Sequence, residues 1–184
     1  MIKELIFVWW FFAPAGVANI GAFFSGKIPF LKPIAYPVDC GIKFRGKRLL
    51  GDNKTFRGFI FGILASTLIM YLQIYVYNNF SFARELIPFD YNSINPIVFG
   101  ALSGFGALFG DSVKSFIKRQ RGIAPGRSWF PMDQIDYILG GILFTSFYIQ
   151  LSFTQYVLLF LVWFLLHPLT TLIGYILKLK ESPL

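Results

Sequence analysis

The stretch Ile94-Asn95-Pro96-Ile97-Val98-Phe99-Gly100-Ala101-Leu102-Ser103-Gly104-Phe105-Gly106-Ala107-Leu108-Phe109-Gly110 runs without a break into Asp111-Ser112-Val113-Lys114-Ser115-Phe116-Ile117-Lys118-Arg119. Its first part is uncharged, apolar and rich in glycine. It reads as a short membrane span, since about 20 residues cross the hydrocarbon of a bilayer. Gly100 and Gly104, and again Gly106 and Gly110, are four apart, the spacing at which membrane helices approach closely. The second part opens with a carboxylate at the membrane edge. If the helix continues past it, Asp111, Ser115 and Lys118 share a face, with Lys114 at its border. An acid, a hydroxyl and an ammonium in one row can hold metal and phosphate together. A span that delivers such a row to one surface predicts an all-α integral membrane protein with its chemistry in the loops.

Composition agrees. Of 184 residues, 55% are hydrophobic, 20% aromatic and 14% charged, and the mean hydropathy is +0.60. A soluble domain carries about 25% charged residues, and a water-soluble core of this size cannot hide so much apolar surface. The bilayer is the solvent that can. Besides 94–110, apolar stretches at about 5–24, 59–77, 135–151 and 156–177 complete five expected spans in one domain, 1–184. Gly58 and Gly62 in the second span, and Gly140 and Gly141 in the fourth, again read as packing residues. Ala13-Pro14-Ala15 looks like a signal cleavage site, but Lys3 is cancelled by Glu4 and the apolar run is long and aromatic, so a true span is expected.

The basic residues set the expected orientation. With the N-terminus outside, the first inner loop holds Lys27, Lys32, Lys43, Arg45, Lys47, Arg48, Lys54 and Arg57. The second holds Lys114, Lys118, Arg119, Arg121 and Arg127, and the C-terminal tail holds Lys178 and Lys180. Only Lys3 and Arg84 of the 17 Lys and Arg are left outside. This predicts a cell-membrane protein with two long cytosolic loops and a cytosolic C-terminus. A nucleic-acid partner is not expected, because the basic residues are interleaved with apolar spans.

Asp111 at the end of the third span and Asp133 and Asp136 at the start of the fourth should meet on the inner side. Carboxylates gathered there need a cation, and hard oxygen ligands of this kind suit Mg²⁺. Alternatively, Asp133 serves as a helix cap and an acid in the first turn complements the dipole. Between these residues, Pro125-Gly126 breaks the helix, and Arg127 adds a forked donor. The first inner loop ends Gly51-Asp52-Asn53-Lys54-Thr55-Phe56-Arg57-Gly58. It lacks the spacing of a Walker A loop, yet it offers donors for a triphosphate or a lipid phosphate. Pro37-Val38-Asp39-Cys40-Gly41 reads as a turn with Asp39 as a hydrogen-bonding residue. The lone Cys40 excludes an internal disulfide and reads as an inert loop thiol. His167 before Pro168 reads as a donor to carbonyls freed at a kink.

Ser115-x-x-Lys118-Arg119, then Pro125-Gly126, then Asp133-x-x-Asp136 resembles the signature of the CTP-dependent phosphatidate cytidylyltransferases, and most of all their short archaeal-type branch, the CDP-archaeol synthases. That branch resembles this chain in its five spans, in the Gly51-Asp52-Asn53-Lys54-Thr55-Phe56-Arg57-Gly58 run, and in Trp129 and Pro131-Met132-Asp133-Gln134-Ile135-Asp136-Tyr137. The larger bacterial and eukaryotic synthases have a Lys-Asp pair after Lys-Arg, a His-Gly-Gly after Pro-Gly and an Asp-Arg opening the last motif. Here the spacer is shorter, Arg127-Ser128-Trp129 follows Pro125-Gly126, and Gln134 stands in place of the arginine.

The resemblance implies attack of a lipid phosphate oxygen on the α-phosphorus of CTP, with release of pyrophosphate. It implies Asp111, Lys118, Arg119, Asp133 and Asp136 as catalytic residues, with Mg²⁺ on Asp111, Asp133 and Asp136. Asp52, Asn53, Lys54, Thr55, Arg57, Lys114, Ser115, Pro125, Gly126 and Arg127 would bind CTP and an isoprenoid ether lipid phosphate. A homodimer is compatible with this reading. An acyl-lipid substrate, a CTP-dependent polyprenol kinase and a small transporter or channel remain open as alternatives.

Overall fold

The computed structural model describes residues 1–124 and 127–176. Six α-helices follow in order: α1 (Ile2–Ser25), α2 (Phe56–Asn79), α3 (Ser81–Leu86), α4 (Pro96–Gln120), α5 (Met132–Thr145) and α6 (Phe153–Ile176). α1, α2 and α4 are long and apolar enough to cross a membrane, and α6 contributes a shorter apolar run, Phe153–Leu166. The helices largely match the expected spans but do not stop where hydropathy stops. α4 continues past Gly110 to Gln120 and carries its polar row on helix. α5 is shorter than the expected span 135–151, starting at Met132 and ending at Thr145. The expected all-α content holds apart from a two-stranded hairpin in the first long loop, β1 (Lys43–Phe44) against β2 (Lys47–Arg48).

α1 lies centrally, packed against α2, α4 and α6. Its Phe7, Phe11 and Phe12 are almost fully buried. Phe11 meets Phe99 of α4 edge-on with ring centres 5.2 Å apart, and Phe12 meets Trp163 of α6 at 5.5 Å. The bundle's outer faces are the reverse of a soluble protein's: Leu64, Leu68, Leu72, Leu139, Leu143, Leu161 and Leu165 are exposed, as a hydrocarbon surround requires. Pro14 inside α1 has no N–H for the Trp10 carbonyl. Buried Gln73 of α2 donates its side-chain N–H to that carbonyl at 2.5 Å, so the carbonyl freed by the proline keeps a donor. The kink role expected of His167 rests on a side chain outside the described residues.

α4 and α5 pack main chain to main chain. A Cβ added at Gly110 would sit 2.0 Å from the Asp136 carbonyl oxygen, and one at Gly140 would sit 2.2 Å from that of Gly106. Only glycine permits this approach. The contact holds the N-terminal turn of α5 beside the point where α4 leaves its apolar stretch. The ends of α1, α2, α4 and α5 that carry the two basic loops therefore lie together at one end of the bundle.

Candidate active site

The first loop is shaped by Asp39, whose side chain is fully buried. Its carboxylate accepts from Arg48 Nη2 at 2.7 Å, from the backbone N–H of Leu50 and Gly51 at 2.9 and 3.0 Å, and from Gly41 N–H at 3.1 Å. Burial alone would raise its pKa, but the guanidinium and the three N–H donors outweigh it and hold the carboxyl well below the ordinary range. Cys40 and Arg45 take positive φ, as do Gly41, Gly46 and Gly51, and this allows the chain to double back. Val38 N–H donates to the Lys54 carbonyl at 2.8 Å and Phe56 N–H to that of Tyr36 at 2.9 Å. The Thr55 hydroxyl accepts from Gly58 N–H at 3.1 Å and caps α2. The turn thus delivers Asp52, Asn53, Lys54 and Arg57 to the mouth of the bundle.

There Lys54 pairs with Asp111 of α4. Lys114, one turn further along α4, places its Nζ 3.0 Å from Asp111, 2.9 Å from Asp133 and 2.6 Å from Asp136. The expected meeting of three aspartates is therefore present, and a lysine ammonium stands at its centre. Spacing along α4 places Lys114 at the border of the row, and the resemblance gives it to substrate binding; neither puts it among the acids. Its reach across to α5 depends on the glycine contact, which spacing within α4 does not reveal. Asp133 lies in the first turn of α5 without capping it through its side chain. It accepts instead from Trp129 N–H at 2.5 Å and from Lys118 Nζ at 3.0 Å.

Lys118 also donates to the Arg127 carbonyl at 2.5 Å, and the Arg121 guanidinium lies 5.1 Å from the Trp129 ring centre. Lys118 thereby fastens the second loop to α5. Arg127 offers its backbone here, while the residue itself is exposed. Ser115 donates to the Asp111 carbonyl within α4 at 2.9 Å. Asp52 pairs with Arg48 at 2.7 Å and is mostly exposed. Pro125 and Gly126 lie outside the described residues.

Two polar cavities and one apolar groove meet at this cluster. The largest, about 750 Å³, is lined by Asn53, Lys54, Thr55, Arg57, Lys114, the three aspartates and Tyr137 among others. A smaller one of about 180 Å³ adds Ser115, Lys118 and Arg119. The groove, about 250 Å³, runs between α4 and α5 past Val113, Ile117, Met132, Leu139 and Leu143. Lys114 lines all three. Arg57 Nε and Arg119 Nε are buried without a hydrogen-bond partner among the described residues. Unsatisfied buried donors of this kind are expected where an anionic ligand completes the site. No preformed metal-ligand group is found among the described residues. Even so, the three carboxylates already converge on one cation, and their hard oxygens are the donor set of Mg²⁺.

The family model described as CarS-like, CDP-archaeol synthase, matches residues 1–184. The chain belongs to the CDP-archaeol synthase family. Its relatives include CDP-archaeol synthases of Methanospirillum hungatei, 37% identical over 80% of this chain and 89% of that one, and of Methanocaldococcus jannaschii, 32% identical over 98% of both. A solved structure of an intramembrane enzyme for archaeal membrane lipids biosynthesis aligns with a TM-score of 0.64 and 28% identity, covering 88% of this chain and 90% of that one. Membership makes the chain a CTP-dependent cytidylyltransferase embedded in a membrane.

Proposed function

We propose that the chain transfers the cytidylyl group of CTP to an archaeal lipid phosphate, 2,3-bis-O-geranylgeranyl-glycerol 1-phosphate, releasing pyrophosphate and a CDP-activated lipid. The observation that carries this is the junction at Lys114, where a polar cavity of about 750 Å³ and an apolar groove share one wall. A water-soluble triphosphate and a lipid tail need such neighbouring but unlike surroundings. The five-span arrangement with the N-terminus outside and the site facing the cytosol is supported by the grouping of basic loops at one end of the bundle, where CTP is available.

The lipid phosphate oxygen attacks the α-phosphorus, and the bond to the pyrophosphate oxygen breaks. No protein nucleophile is required; catalysis is positioning and charge neutralisation. Arg57 and Arg119 supply donors to non-bridging oxygens. Lys54 and Lys118, now held by Asp111 and Asp133, stand within reach of the same oxygens. Asp111, Asp133 and Asp136 would hold Mg²⁺, which when bound supplies positive charge to the phosphates. Asp136 has the least exposed side chain of the three, at 6%, and its backbone is fixed against Gly110.

The test is purified protein with labelled CTP, Mg²⁺ and a panel of ether and ester lipid phosphates. Pyrophosphate release with label in the lipid, strongest for the ether substrates, is expected. CDP release instead would mean a kinase, and label in no lipid would end the proposal. Asp111→Asn and Asp136→Asn should abolish incorporation while leaving folded protein in detergent.

A further inference from the structure

The cluster is electrically complete as it stands. Asp111, Asp133 and Asp136 are matched by Lys54, Lys114 and Lys118, each ammonium in an ion pair with at least one carboxylate. The pairings are unequal. Asp111 keeps Lys54 and Asp133 keeps Lys118 if Lys114 is taken away, but Lys114 is the one cation paired with Asp136 among the described residues. Its side chain is 14% exposed, and it stands on the wall shared by both polar cavities and the groove. A bare divalent cation entering between the carboxylates would meet this ammonium at van der Waals range and leave the site with excess positive charge. A triphosphate brings about four negative charges, which both restores balance and gives Lys114 oxygens to move to.

We propose that Lys114 is a built-in counterion that holds the three carboxylates closed in the empty enzyme and yields them to a divalent cation only when a nucleotide triphosphate draws it into the adjoining cavity. This rests on the reading of Asp111, Asp133 and Asp136 as metal ligands. Cation and nucleotide then bind as one unit, each strengthening the other by the same factor, as linkage demands. A lone cation in the cytosol does not fill the site, and a lone nucleotide finds Lys114 still held by acids.

Equilibrium dialysis of the full chain in detergent against radioactive Mn²⁺ tests this without turnover, using a CTP analogue with a non-cleavable α,β linkage. The wild type should bind Mn²⁺ at least roughly tenfold more tightly with the analogue than without it. Lys114→Gln should bind Mn²⁺ alone at least roughly tenfold more tightly than the wild type, with the analogue's effect reduced. Lys114→Arg, which keeps the charge, should behave as the wild type does. Should Lys114→Gln not fold, the wild-type pair of measurements still decides the coupling. Equal Mn²⁺ affinity with and without the analogue, or unchanged lone Mn²⁺ binding in Lys114→Gln, overturns the role of Lys114 but leaves the metal site intact. Absence of Mn²⁺ binding in all proteins, even with the analogue, overturns the metal site itself.

Discussion

Asp39 shows how much of the site depends on a residue that touches no substrate cavity. Its hydrogen bonds from Arg48, Leu50 and Gly51 set the turn that brings Lys54 to Asp111. Because its folded pKa is depressed, its contribution is fully present above the unfolded value near 3.9 and is lost as pH falls through the lower folded value. Amide exchange at Leu50 and Gly51 should therefore stay slow from neutral pH down to about 4, after correction for intrinsic rates, and accelerate only below that. Asp39→Asn should destabilise the loop by about 2 kcal/mol, the scale of hydrogen bonds to a charged group, measured by the same exchange at neutral pH. Arg57→Gln and Arg119→Gln should each raise the KM for CTP roughly tenfold or more. Little change in steady-state kinetics with either variant would mean that their buried Nε atoms do not face phosphate.

The helices divide into those that periodicity and hydropathy announce and those that tertiary contact trims. The apolar runs near 5–24, 59–77 and 156–177 were legible because nothing but lipid competes for them, and the structure extends each by only a few residues. The extension of α4 through Lys114 and Lys118 was legible as a conditional: the spacing said what would align if the helix went on. The early end of α5 at Thr145 was not legible, since Ser146 to Leu151 is as apolar as a span's end, and nothing local shows that the Tyr148 hydroxyl accepts from the Asn95 N–H across the bundle. The hairpin at Lys43–Arg48 is too short for an alternating pattern. Gln73 was also invisible, because its partner is a carbonyl freed by Pro14 on another helix. Gln73→Leu should lower stability by about 1–3 kcal/mol by leaving that carbonyl bare in an apolar surround, read as a lower midpoint in detergent-resistance or thermal unfolding assays. A neutral result would mean that α1 bends to satisfy Trp10 by itself.

For the whole molecule, the placement of charge was the most legible property and the centre of the site the least. Lys and Arg positions alone grouped the two loops on one side, and the structure joins those loops through Lys54 and Asp111 and through Lys47 and the Gln120 carbonyl. What sequence could not show is that the three aspartates converge on Lys114, because that depends on how closely α5 approaches α4. Cys40 is exposed and is the single cysteine, so it reports orientation directly. A membrane-impermeant maleimide should label it in inverted vesicles and not in right-side-out cells; the opposite pattern would place the basic loops outside. Gly110→Ala should cost about 1–3 kcal/mol by overpacking and should also reduce turnover, since the helix it displaces carries Asp133 and Asp136.

That last joint has a further meaning for an enzyme immersed in lipid. Where Gly110 faces the Asp136 carbonyl and Gly140 faces that of Gly106, no rotamer lies between the two helices. A bilayer that thickens, thins or stiffens can tilt α4 and α5, but they tilt as one splinted pair. The span between the acids on either side of the joint is then set by main-chain contact with no side chain in between, and the membrane's mechanical state has little hold on it.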